Sequence, residues 1–242
     1  MEQNFYYVAL FFMFSNLVGT IAGFGSVVIG LSLAAHFYPI QNLVPIVVPI
    51  DIFSSVFIFY KYRSKVNWKI FSKTILPQVG IGFLVGMIVS TKIQGDWMKR
   101  VFGAFIFIFA AVQLYRFIVK KAQNKEFKIK APWFLIPAGI IQGIYASGGP
   151  VVVTYLSTKI HNKDEFRSTL ATLWCLVNTI MIANFMRTGL INSDTMNLSI
   201  VLVPFVITGI IVGEWLQKKV SAQAFKILVY ALLCFAGFSL LF

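Results

Sequence analysis

The chain has 242 residues, 58% of them hydrophobic and 12% charged, with a mean hydropathy of +0.81. A soluble domain carries about a quarter charged residues, so a water-soluble globular protein is excluded. The net charge of +13 does not call for a nucleic acid partner, because Lys and Arg gather in the cytoplasmic loops of polytopic membrane proteins.

The charges sit in short clusters between apolar runs, the pattern of membrane-spanning helices of about 20 residues each. A β-barrel would alternate polar and apolar positions instead. In chain order the runs extend from Phe5 to Ala35, Leu43 to Tyr60, Thr74 to Thr91, Val101 to Val119, Trp133 to Thr158, Leu170 to Met186, Leu198 to Leu216 and Ile227 to Phe242. No Lys or Arg precedes the first, which reads as a structural segment and not a cleaved signal. Trp68, Trp97, Trp133 and Trp215 stand at run ends, where a half-solvated ring suits the interface, whereas Trp174 lies inside a run. Cys175 and Cys234 both lie in apolar runs, so neither a disulfide framework nor a metal site is expected.

Residues 120–132 form a basic linker between a first transmembrane repeat, 1–119, and a second, 133–242. A shift of 124 places Gly19 on Gly143, Ala22 on Ala146, Gly25 on Gly149 and Arg63 on Arg187. After an insertion near Asn192 the shift becomes 127, and Pro77 meets Pro204, Gly82 meets Gly209 and Gly86 meets Gly213. Internal duplication is common in transporters.

If the first run of each half crosses once, the 21 basic residues divide 12 to 9 between the two sides. If it is a hairpin instead, the halves become inverted and the division is 17 to 4, which the positive-inside rule favours. The termini then lie outside and the linker in the cytoplasm of a multi-pass plasma-membrane protein. Two arms of about 14 residues would each reach only ~21 Å, so the bends should lie within the bilayer. The expected fold is therefore all-α, with two inverted repeats, each a helical hairpin broken at a Gly-rich motif and followed by three transmembrane helices.

The breaks are expected at Gly23-Phe24-Gly25-Ser26 and Ser147-Gly148-Gly149-Pro150. Glycine removes the side chain that keeps a ligand from the backbone, and proline suits the first turn of a helix. Bare N–H groups at such a helix start attract an anion. A Gly/Ser packing contact between helices is the competing explanation. Gln142 and Asn16 precede the two motifs and suit either role.

Asp51 is the one ionisable carboxylate deep in an apolar run, a candidate for coupling proton flow to anion movement. Its alternatives are a place near a wide aqueous mouth or a cap on a helix broken by Pro45 and Pro49. Trp174 and Asn178, with Ser54 across the repeat alignment, are candidate substrate contacts or interhelical bridges.

The Gly19 to Ser26 motif, the stretch Tyr60-Lys61-Tyr62-Arg63 leading into Val66-Asn67-Trp68, the pattern of Pro77, Gly82 and Gly86, and Gly143 to Pro150 together resemble the TauE/SafE family of sulfite and organosulfonate transporters. The resemblance covers nearly the whole chain. The family's first motif usually ends in consecutive glycines, and Gly23-Phe24-Gly25-Ser26 departs from this. The resemblance implies anion transport, often of sulfur-containing compounds. With the duplicated halves, the expected function is a secondary transporter of sulfite, a sulfonate or a related sulfur oxyanion, bound between the two breaks and exposed by alternating access. No cofactor is expected, and a homo-oligomer is compatible. A passive anion channel is the alternative. A membrane-embedded enzyme would need paired His, Cys or carboxylates that this chain lacks.

Overall fold

The computed structural model describes residues 2–22, 25–92, 95–118, 131–216, 219 and 222–242, so most of the basic linker lies outside it. Among the described residues every regular element is helical. Helices α1 (Glu2–Ala22) and α2 (Ser26–Ala34) precede three longer ones, α3 (Ile40–Tyr62), α4 (Trp68–Ser90) and α5 (Asp96–Ile118). A 3-10 turn at Pro132–Phe134 then opens the same order again. It leads to α6 (Leu135–Tyr145), α7 (Gly149–Leu156), α8 (Lys163–Arg187), α9 (Ser193–Leu216) and α10 (Ala222–Ser239). Five of these, α3, α4, α5, α8 and α9, are long and apolar enough to cross a membrane.

The hairpin arms are less equal than their run lengths suggest. In the first hairpin α1 has 21 residues and α2 has 9, because Glu2 to Asn4 join the helix and the glycines fall late in the run. In the second, α6 has 11 and α7 has 8.

Asparagines start three helices. Asn162 accepts from the backbone N–H groups of Asp164 and Glu165 at α8, Asn67 from Ile70 at α4, and Asn192 from Thr195 at α9. Asn67 and Asn192 open equivalent helices of the two halves. Within α4 the backbone widens into a π turn at Phe71–Ile75, just ahead of Pro77, which has no N–H to offer Lys73.

The helices cluster into two compact units that cut across the halves. Unit one comprises Met1–Leu43, Ile93–Lys125 and Ile200–Phe242; unit two comprises Val44–Lys92 and Glu126–Ser199.

In unit two, α4 packs on α6 through glycines from both sides. A Cβ on Gly82 would lie 2.0 Å from the Ile136 carbonyl oxygen, and one on Gly139 would lie 2.2 Å from that of Val79. Gly86 and Gly143 repeat the contact one turn on, at 2.3 Å from Ile140 O and 2.4 Å from Phe83 O. In unit one, α9 meets α1 in the equivalent way, with Gly209 at 2.1 Å from Met13 O and Gly213 at 2.8 Å from Leu17 O. Close backbone approach through small residues is how helices associate when lipid removes the hydrophobic driving force between them. The outer face of α4 leaves Ile81, Leu84, Val85 and Ile88 exposed, a lipid-facing stripe rather than a soluble surface.

Candidate functional site

The second break lies in unit two. Helix α6 stops at Tyr145 because Ala146 takes the left-handed conformation, with φ 53° and ψ 26°. It is the one non-glycine residue with positive φ among those described, a geometry that costs an L-residue about 1–2 kcal/mol. The Ser147 hydroxyl turns back to donate to the Tyr145 carbonyl at 2.9 Å. Buried Gln142 then accepts the Gly148 N–H on its Oε1, also at 2.9 Å. Gly148 itself is packed tight, since a Cβ there would lie 2.2 Å from the Ala138 carbonyl oxygen. Ser147 and Gly148 therefore hold the break in shape.

Helix α7 begins at Gly149, and its first intrahelical bond runs from the Val152 N–H to the Gly148 carbonyl. Pro150 has no N–H, so Gly149 and Val151 keep donors without an intrahelical acceptor. Both sit at the positive end of the helix dipole. A Cβ on Gly149 would meet the Trp174 ring at 3.6 Å, an ordinary contact, so the aromatic ring flanks the helix start. The sequence already marked the helix start from Val151 as one with free N–H groups, and the open donor on Val151 follows from the position of the proline.

Trp174 and Asn178 are one turn apart on α8 and share a face. Asn178 is 1% exposed, and its Nδ2 donates to Asp51 Oδ2 at 2.8 Å. Its Oδ1 finds no donor among the described residues, an omission that costs about 1–3 kcal/mol in a buried amide. One face of α8 thus sets Trp174 beside Gly149 and bonds Asn178 to Asp51. Asp51 is not a cap: α3 stays helical through Pro45 and Pro49. Each proline removes one backbone bond. The Ser199 hydroxyl donates to the Ile46 carbonyl beside them at 2.8 Å, tying α9 to α3 within this unit. Ser54 lies on α3 three residues beyond Asp51, and its side chain lies outside the described residues.

The first break lies in unit one and is built differently. Gly23 and Phe24 fall outside the described residues. Gly25 is the left-handed residue here, with φ 88°, and its carbonyl accepts the Ile29 N–H at 2.9 Å. That leaves the N–H groups of Ser26, Val27 and Val28 at the start of α2. A Cβ on Gly19 would lie 2.7 Å from that of Ser26, so the two arms touch at this pair. Asn16 donates to the Phe12 carbonyl and serves its own helix. The position that matches Gln142 is buried Val18, whose side chain has no acceptor to offer.

A polar junction at the start of α8 was not legible beforehand. Asn67 Nδ2 donates to Glu165 Oε1 at 2.6 Å, and its backbone N–H donates to Thr169 Oγ1 at 3.0 Å. Lys65 pairs with Asp164 beside it. Val66-Asn67-Trp68 stood out in the sequence as a motif, but a motif does not name the helix it meets. Arg63 stacks on Tyr60 at 4.9 Å, and Arg187 donates to Asn184 at 3.3 Å; both arginines are exposed at helix ends.

The model of a protein family described as "Sulfite exporter TauE/SafE" matches residues 8–240. The chain belongs to the TauE/SafE family. This TauE/SafE protein is also similar to a "Probable inner membrane transporter protein TsaS" from Comamonas testosteroni, 22% identical over 182 residues that cover 73% of each chain. No solved structure matches it significantly. Membership makes it a multi-pass membrane transport protein and not an enzyme.

Proposed function

We propose that this TauE/SafE protein carries a small sulfur oxyanion, sulfite or an organosulfonate, across the inner membrane by alternating access. The observation that carries the reading is the start of α7, where the Gly149 and Val151 N–H groups stand without intrahelical partners beside Trp174. An oxyanion offers several acceptor oxygens, which matches a site made of donors and a positive dipole end. The family description and the relative's name as an inner membrane transporter support the substrate class and the location.

In this reading the halves 1–119 and 133–242 are inverted repeats, with both termini outside and the linker 120–132 in the cytoplasm. That orientation places 17 of the 21 basic residues inside. Gly25 and Ser26 supply a second set of donors in the first half, and Asp51 couples a proton to the anion's movement.

Purified protein in proteoliposomes, offered labelled sulfite, thiosulfate and a sulfonate with and without a pH gradient, provides the test. Saturable flux of at least one of them, driven by the gradient, is expected. No flux of any of the three would sink the proposal, and flux linear in concentration would mean a channel.

A further inference from the structure

We propose that Asn178 is the positioning residue for a proton carried on Asp51, the two side chains forming an acid–amide pair inside unit two. This rests on the reading above and deepens it, because it gives the coupling carboxylate a partner. The Asn178 amide is buried and donates to Asp51 Oδ2 at 2.8 Å, while its own oxygen lacks a donor among the described residues.

An ionised carboxylate can only accept, so it satisfies the NH₂ end of the amide and leaves the oxygen unbonded. A carboxylic acid has one O–H to give. With the proton on Asp51 Oδ1, that O–H donates to Asn178 Oδ1 while Asn178 Nδ2 still donates to Oδ2. This is the cyclic pair that any carboxylic acid and primary amide can form. Both ends of the amide are then bonded, and α3 is fastened to α8 by two hydrogen bonds where the ionised pair has one. The step is a proton transfer alone. An O–H bond forms at Asp51 with a proton from water on one side of the membrane, and breaks when the proton passes to water on the other.

Among the described residues Cys175, on the same turn of α8, also lies within electrostatic reach of Asp51. Among the described residues no Lys, Arg or His forms an ion pair with Asp51. Asn178 therefore governs which hydrogen bonds the carboxyl can make.

Difference infrared spectroscopy of the full-length protein across a pH titration reads the pair without needing transport. A protonated-carboxyl band is expected that disappears in Asp51→Asn and shifts in frequency in Asn178→Ala. The exchange Asp51→Asn with Asn178→Asp conserves volume and restores an acid–amide pair, so it should regain the titrating band that the single Asp51→Asn lacks. Absence of a titrating band assignable to Asp51, or a band unmoved in Asn178→Ala together with a silent exchange variant, would overturn the proposal. So would a thermal stability that responds to sodium ions instead of pH and loses that response in Asp51→Asn. If the band behaves as expected while proteoliposomes pass none of labelled sulfite, thiosulfate or sulfonate at any pH, the pair stands and the transport reading falls.

Discussion

The Gln142 side chain accepts the N–H of Gly148 at 2.9 Å, so the last turns of α6 supply the brace for the start of α7. Replacing it with leucine keeps the volume and leaves that buried N–H without an acceptor. The expected loss is about 1–3 kcal/mol, read as a lower unfolding temperature in detergent. An unchanged unfolding temperature would show that the brace contributes nothing.

Gly148 and Gly149 are neighbours with opposite expected tolerances. Gly148→Ala drives a Cβ into the Ala138 carbonyl oxygen at 2.2 Å and should reduce the folded yield. Gly149→Ala meets only Trp174 at 3.6 Å and should fold normally. Gly149→Val adds an isopropyl group over the open donors and should abolish sulfite flux with little loss of expression. Wild-type flux in the valine variant would remove α7 from the site.

The glycine contacts of α4 and α9 should respond alike. Gly82→Ala and Gly209→Ala each place a Cβ about as close to a carbonyl oxygen, at 2.0 and 2.1 Å, and each should cost at least about 1–3 kcal/mol by overpacking. Gly80→Ala is the control, since nothing lies within 4 Å of its Cβ. It should be neutral or gain up to ~1 kcal/mol from helix propensity. Thermal unfolding of the three variants side by side decides whether the repeat-related contacts are energetically equivalent.

Asn67 has three separate bonds to lose: its cap on α4, its amide bond to Glu165 and its backbone bond to Thr169. Asn67→Ala removes the first two and should cost about 1–2 kcal/mol from the cap alone. Lys65→Ala, which cuts the exposed pair with Asp164, should leave the unfolding temperature nearly unchanged. If the two variants unfold together, the junction is held by charge and not by the asparagine.

The helix order and both interruptions were readable from the Gly-rich clusters, although Pro45, Pro49 and Pro204 lie inside continuous helices and the left-handed turn of the second break falls on Ala146. The arm lengths were not, since an apolar run does not reveal where in it the turn falls. A glutamine in such a run looks the same whether it braces a neighbouring turn or bridges to another helix, so the part played by Gln142 needed coordinates. The glycine pairs Gly82 with Gly86 and Gly139 with Gly143 signal close packing by their spacing of four, but spacing does not name the partner. Asp51 and Asn178 stood out singly, and their hydrogen bond joins positions 127 apart in the chain. The repeat alignment had set Asn178 opposite Ser54 and gave no reason to pair it with Asp51.

Each compact unit takes helices from both sides of the basic linker. A polypeptide truncated at that linker would carry the notched face of α4 with no α6 to seat in it, and the α1 ridge with no α9. Neither fragment alone should survive quality control in a cell. Produced together in one membrane from two separate messages, the fragments should find each other and assemble, as two interlocking subunits would.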